Sequence, residues 1–180
     1  MRSRGDLRRV MADPSGWLAT GFGVGLIKWA PGTFGSALAV LLWMPLVQLG
    51  WPLQLAIVAL SVLLSGWSAG RAERLSGVHD PGWIVIDEIA GQWLTLLILT
   101  QLSQLVGVGS GVDDLQHLGF GFLCFRIFDV LKPWPISWVD RHVSGGWGTT
   151  WDDLLAALFA APCALLLEWC LDRVLAVLTG

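Results

Sequence analysis

The chain has 180 residues, of which 54% are hydrophobic and only 14% charged, with a formal net charge of −3. A mean hydropathy of +0.65, with charged residues far below the roughly 25% of soluble domains, excludes an ordinary soluble fold. No basic stripe is present, which argues against a nucleic-acid partner.

Residues 1–16 form a basic arm with Arg2, Arg4, Arg8 and Arg9. Asp13-Pro14-Ser15-Gly16 follows instead of an apolar run, so the arm is not a cleavable signal peptide. Ala30-Pro31-Gly32-Thr33-Phe34-Gly35-Ser36 then precedes the first apolar segment, 35–49. Its glycines permit close backbone approach and Thr33 offers a hydroxyl beside a helix N-terminus, where anions are favoured. The second segment, 52–66, follows the Gly50-Trp51 turn. Each of these two is about 15 residues, roughly 23 Å as helix and short of the ~30 Å hydrocarbon core. They form either a re-entrant hairpin or short spans lengthened by flanking turns. A polar loop, Arg71–Gly82, carries His79 and Asp80, candidate bases.

The third segment, 84–105, opens on Asp87-Glu88. Helix capping needs one acid in the first turn; two adjacent acids at a membrane boundary point to a site. The fourth, 115–131, ends with Arg126, Asp129 and Lys132 at i, i+3 and i+6, neighbours on one helix face. Pro133-Trp134-Pro135 stops that helix and leaves Lys132 at the boundary, a compact charge suited to phosphate. Asp140 and Arg141 lie beyond, then the flexible run Ser144–Gly148, then Asp152-Asp153 at the entrance to the fifth segment, 154–171. Pro162 predicts a kink there. Two acidic pairs at helix entrances resemble a site for a hard cation such as Mg²⁺, which takes oxygen ligands and bridges carboxylates to phosphate. Cys124, Cys163 and Cys170 all fall in apolar stretches and read as buried thiols; none begins a Cys-x5-Arg phosphatase loop.

The fold class is therefore all-α: a polytopic membrane bundle of four to five apolar helices, forming one domain over 1–180. With the N-terminus inside and segments alternating, Arg2, Arg4, Arg8, Arg9, Lys28, Arg71, Arg74, Lys132 and Arg141 are cytoplasmic, nine of the chain's 11 basic residues. Positive residues mark the inside, so the assignment is self-consistent. The same alternation gathers Gly32-Thr33, His79-Asp80, Asp87-Glu88, Asp129, Lys132, Asp140 and Asp152-Asp153 on one face, while His117 falls on the other.

These residues also carry a resemblance. Pro31-Gly32-Thr33-Phe34-Gly35-Ser36, Val78-His79-Asp80, Asp87-Glu88-Ile89-Ala90-Gly91, Phe125-Arg126-Ile127-Phe128-Asp129, Lys132-Pro133-Trp134-Pro135-Ile136, Asp140-Arg141 and Asp152-Asp153 occur in the order found in phosphatidylglycerophosphatase A, a bacterial Mg²⁺-dependent inner-membrane lipid phosphatase family. Thr149-Thr150 stand where that pattern has an apolar pair. The resemblance implies hydrolysis of phosphatidylglycerophosphate to phosphatidylglycerol and phosphate. On this reading Asp87, Glu88, Asp129, Asp152 and Asp153 hold Mg²⁺. Gly32, Thr33, Arg126, Lys132 and Arg141 contact phosphate, and Asp80, His79 and Asp140 serve catalysis. Partners are the phospholipid substrate and membrane lipids, with the oligomeric state open. The competing reading is a cation transporter or channel, which would use its acids near mid-membrane rather than at helix ends.

Overall fold

The computed structural model describes residues 4–108 and 115–179; Arg2 and Asp113, with the rest of the 109–114 connection, lie outside them. All regular structure among the described residues is helical: α1 (Arg4–Met11), α2 (Pro14–Ala19), a 3-10 turn (Val24–Leu26), α3 (Pro31–Leu46), α4 (Trp51–Ser76), α5 (Ile86–Val106), α6 (Leu115–Leu131), α7 (Ile136–His142) and α8 (Gly146–Thr179). Of these, α4, α5 and α8 are long and apolar enough to cross a membrane, and α3 is a shorter apolar helix. Leu41, Leu60, Leu63, Leu158 and Leu166 are all exposed, the arrangement of helices whose outer surface meets lipid. The protein is membrane-associated.

Helices α5 and α8 form the centre, with α6, α4 and α3 packed around them. Small residues make this closeness possible. The contact between α6 and α8 is a run of buried alanines, Ala156, Ala157, Ala160, Ala161 and Ala164, around Cys124 and Phe125. At the end remote from the acidic pairs, His117 Nδ1 lies 2.8 Å from Glu168 Oε1, both buried. The Thr100 hydroxyl and His117 Nε2 are 3.3 Å apart, and Ser103 donates to Glu168 Oε2 at 3.4 Å. This group ties α5, α6 and α8 together where buried polar groups need partners.

Several boundaries differ from those read in the sequence. Pro31 begins α3, because a proline tolerates the first helical position where an N–H would have no partner. The Pro-Gly-Thr stretch is therefore the first turn of the helix and not a loop before it. Helix α4 runs ten residues past the apolar segment to Ser76, since Gly66, Ala69, Gly70 and Ala72 bury a small-residue face that carries Arg71 and Arg74 along. Its 26 residues cover about 39 Å, so the second segment is a short span lengthened by its flanking turns. The side chain of Gln54 donates to the carbonyls of Leu46, Val47 and Leu49 and closes the turn between the two helices.

Of the run Ser144–Gly148, expected to be flexible, Gly146–Gly148 form the tightly packed start of α8. A Cβ on Gly146 would stand 2.0 Å from the Gly70 nitrogen, so α4 and α8 touch backbone to backbone. Helix α8 consequently starts well before 154, includes Pro162 in its interior, and carries Asp152 and Asp153 in its second turn. Of the cysteines, Cys124 is buried, Cys163 half-buried and Cys170 exposed; the last faces outward on an apolar helix, where a thiol is as compatible as in a core. From Arg4 onward the basic arm forms α1 and the start of α2. Asp13 caps α2 through the Ser15 N–H at 3.0 Å and pairs with Arg71 of α4 at 2.6 Å.

Candidate active site

The loop before α5 is held by the Val85 N–H, which donates to the Ala19 carbonyl at 2.8 Å. That anchor sets Asp87 and Glu88 in the first turn of α5, where unpaired backbone N–H groups favour negative charge. One turn later Gly91 decides how close the neighbours come. A Cβ there would lie 3.0 Å from the Asp153 Cβ and 2.8 Å from the Phe125 ring. Glycine at 91 thus brings α8, with its Asp152-Asp153 pair, and α6, with Arg126 and Asp129, against the start of α5.

The convergence encloses a cavity of about 140 Å³. On that measure a water needs about 10–15 Å³, so a phosphate group with water fits. Six of its ten lining residues are acids (Asp80, Asp87, Glu88, Asp129, Asp152 and Asp153), Lys132 is the one base, and Thr149 adds a hydroxyl. Asp87, Asp129, Asp152 and Asp153 are each no more than 9% exposed. Two cations answer them: Arg126 pairs with Asp129, and Lys132 pairs with both Asp152 and Asp140, the latter at 2.5 Å. Burial works against the Lys132 charge, but the Asp152 carboxylate and the hydrogen bonds to Asp140 and Asp152 outweigh it, raising its pKa above the usual lysine range. Asp140 is also penalised by burial, and Lys132 still holds its pKa below the carboxylate norm. Asp80 goes the other way, pushed up by burial against the pull of Lys132.

The donor set suits a hard cation. One carboxylate oxygen from each of Asp87, Glu88 and Asp153 lies within 4.8 Å of the other two. Glu88 Oε2 and Asp152 Oδ1 are buried with no hydrogen-bond partner, which is costly for a carboxylate unless something positive satisfies it. A pocket with this excess of negative charge repels a phosphate dianion unless a cation lies between. All-oxygen ligation is what Mg²⁺ takes.

The sequence comparisons agree with that geometry. The family profile for phosphatidylglycerophosphatase A matches residues 17–168, most of the chain and all of the cavity. The chain belongs to the phosphatidylglycerophosphatase A family. An Escherichia coli member named phosphatidylglycerophosphatase A is 39% identical over 154 residues, covering 86% of this chain and 83% of the relative. A Haemophilus influenzae protein of the same name is 34% identical over 94% of this chain and 98% of its own length. A Bacteroides thetaiotaomicron protein, named provisionally as a phosphatidylinositol-3-phosphatase, is 30% identical over 84% of this chain and 92% of the relative. No solved structure matches the chain.

The residues that carry the family pattern do not all reach the cavity. The structure brings together Asp80, Asp87, Glu88, Asp129, Lys132, Asp152 and Asp153, with Arg126 and Asp140 as their direct partners. His79 is exposed on the rim, 3.1 Å from Glu73 Oε1. Arg141 is exposed and its Nε donates to the Ser137 carbonyl at 2.8 Å. Thr33 is half-buried in the first turn of α3, outside the cavity lining. Three residues gain a place at the site that the sequence did not give them. Glu73 accepts the Asp80 N–H at 2.8 Å and holds Asp80 in a left-handed backbone conformation, φ +42°. Ser36 accepts from Arg126 Nη1 at 3.3 Å. Thr149 lines the cavity and adds its hydroxyl there. Glu73 is hidden in the sequence because 71–82 reads as loop, whereas α4 continues through its first half to Ser76.

Gly32 has a specific task. A Cβ there would sit 2.2 Å from Glu88 Oε1 and 3.2 Å from Arg126 Nη1. Gly32→Ala is therefore expected to push Glu88 out of place and lower phosphate release about a hundredfold, the cost of an ångström-scale misplacement. Parallel assays of turnover and thermal melting check this, since the folded protein should persist while activity falls.

Proposed function

We propose that the chain hydrolyses the terminal phosphomonoester of phosphatidylglycerophosphate, giving phosphatidylglycerol and phosphate, with Mg²⁺ held in the acidic cavity. The observation that carries this reading is the convergence of six carboxylates and Lys132 on one phosphate-sized cavity at one end of a membrane-associated helical bundle. The names of its relatives supply the substrate. The distribution of basic residues supports a cavity facing the cytoplasm of a bacterial inner membrane, and the whole of 1–180 is read as one catalytic domain.

On this proposal Asp87, Glu88 and Asp153 hold the cation, with Asp129 and Asp152 completing its surroundings. Bound there, Mg²⁺ supplies Lewis-acid polarisation of the phosphoryl oxygens and neutralises their charge. Lys132 and Arg126 offset the remaining negative charge, and Asp140 keeps the Lys132 ammonium aimed at the cavity. Asp80 accepts a proton from the attacking water as the new P–O bond forms. It returns that proton to the glycerol oxygen as the ester P–O bond breaks. Its raised pKa, set by burial, brings it nearer the operating range of a general base than an ordinary aspartate. His79 and Glu73 shape the loop that presents Asp80, while Gly32 leaves the room that Glu88 occupies.

The test is phosphate release from phosphatidylglycerophosphate by the purified protein in detergent, with Mg²⁺ and with EDTA. Release that requires Mg²⁺ is expected. Folded protein that releases none would sink the proposal and return the transporter reading to the front.

A further inference from the structure

A groove of about 320 Å³ lies between α3 and α6, lined by Ala37, Val40, Leu41, Leu118, Gly119 and Phe122 among its apolar residues. Its position gives it meaning. On α6, Leu115, Gly119, Phe122, Arg126 and Asp129 succeed one another at steps of four and three residues, so they form a single stripe along the helix. The stripe is apolar for its first two turns, about 10 Å of helix, and then ends in the Arg126–Asp129 pair. Helix α3 repeats the pattern: Val40, Leu41 and Ala37 line the groove, and Ser36 and Gly32 follow toward the acids. Arg126 Nη1 donates to Ser36 Oγ at 3.3 Å across the junction, while Arg126 Nε is buried without a partner. The groove's lining residues nearest the acids, Ala37 and Phe122, thus lie next to Ser36 and one turn from Arg126 on the same two helices, and the groove extends from there into the apolar part of the bundle. That is the shape of an amphiphile with an anionic head and a hydrocarbon tail. A larger apolar groove of about 500 Å³, between Val106 and Trp169, lies at the opposite end near Pro162 and has no charged residue in its lining; volume favours it, but nearness to the Arg126 guanidinium and charge complementarity do not.

We propose that the α3–α6 groove holds an acyl chain of the lipid whose phosphate enters the acidic cavity, with Arg126 at the boundary between head group and chain. The inference rests on the lipid-phosphatase reading given above and adds where the substrate lies. It makes the face between α3 and α6 the route by which a lipid enters sideways from the bilayer.

Gly119 offers the test. A Cβ at this position meets no atom within 4 Å, so Gly119→Phe fills the groove without disturbing backbone, and removing a helical glycine favours the helix. The ratio of kcat/KM for long-chain phosphatidylglycerophosphate to that for its deacylated head group is expected to fall about tenfold or more, as follows from losing burial of a few methylenes. Leu166→Trp, in the opposite groove, should leave this ratio at the wild-type value. A second measurement needs no turnover. With Mg²⁺ present, a phosphonate analogue of phosphatidic acid, whose P–C bond is not hydrolysed, bearing a photoreactive diazirine in its acyl chain should label α3 and α6 of the wild-type protein, and label them severalfold less in Gly119→Phe. An unchanged ratio, equal loss on both substrates, or label confined to the Pro162 end would overturn the proposal. So would a changed oligomeric state of Gly119→Phe with lipid handling intact, which assigns the groove to a second copy. If wild-type protein hydrolyses neither substrate, the phosphatase reading fails and the labelling pattern alone decides the groove.

Discussion

Glu88→Gln is expected to lower Mg²⁺-dependent phosphate release by about a thousandfold, the rate equivalent of the several kcal/mol that a correctly held metal contributes. The substitution keeps the side chain's length and shape and removes its charge. Glu88 sits against Gly32, and its Oε2 is buried with no partner. A neutral amide there leaves the Asp87 and Asp153 carboxylates to hold the cation with two charges where there were three. The same change has a signature independent of turnover. Ligand that binds only the folded state stabilises it by about 2.7 kcal/mol at a hundred times its Kd, so Mg²⁺ should raise the melting temperature of the wild-type protein in detergent. That rise should largely vanish in Glu88→Gln at the same concentration. Full activity together with an undiminished Mg²⁺ shift would remove Glu88 from the metal set.

Lys132→Ala is the second large effect, about a hundred- to a thousandfold in kcat, the range for loss of one preorganised charge facing a developing anion. Two losses combine: the phosphate loses a cation, and Asp152 loses the partner of its Oδ2 while its Oδ1 already has none. Lys132→Arg should recover little, because a planar guanidinium cannot occupy the point between Asp140 and Asp152 that one ammonium fills. The sign with pH follows from the two outer partners. The raised Lys132 pKa means its stabilisation is complete below the ordinary lysine value near 10.4 and is lost only as pH rises through the higher folded value. The lowered Asp140 pKa means its contribution is present above the ordinary value near 3.9 and is lost as pH falls through the lower one. Both are intact in between, so the coupling between Lys132 and Asp140, read from melting temperatures of Lys132→Ala, Asp140→Asn and the double variant, should be constant across neutral pH.

Much of this site was legible before any folding was considered. Asp87-Glu88 and Asp152-Asp153 stand out because acids are expensive next to apolar segments, and Arg126, Asp129 and Lys132 stand out by their helical spacing. His79 and Arg141 had the same chemistry and a place in the family pattern, yet they lie outside the cavity. Residue type and chain position say nothing of which way a loop turns: His79 is drawn to Glu73, and Arg141 bonds the Ser137 carbonyl on its own short helix. Glu73 and Ser36 act through their partners rather than by any motif of their own, and only packing reveals partners.

Composition and segment order by themselves determined that this is an all-helical membrane protein with its acids at one end, because hydropathy and charge are properties of the residues and not of their arrangement. The clustering of those acids into one cavity depends on something finer. Gly91 lets three helices meet at Asp153 and Phe125, Gly146 lets α8 start early against Gly70, and Gly32 leaves room for Glu88. Each is a matter of a missing methyl group at a contact distance, and those contacts exist only once the helices have packed. Tertiary structure also decided that the apolar stripe of α6 runs into Arg126 beside an open groove, where the sequence offered only another hydrophobic helix.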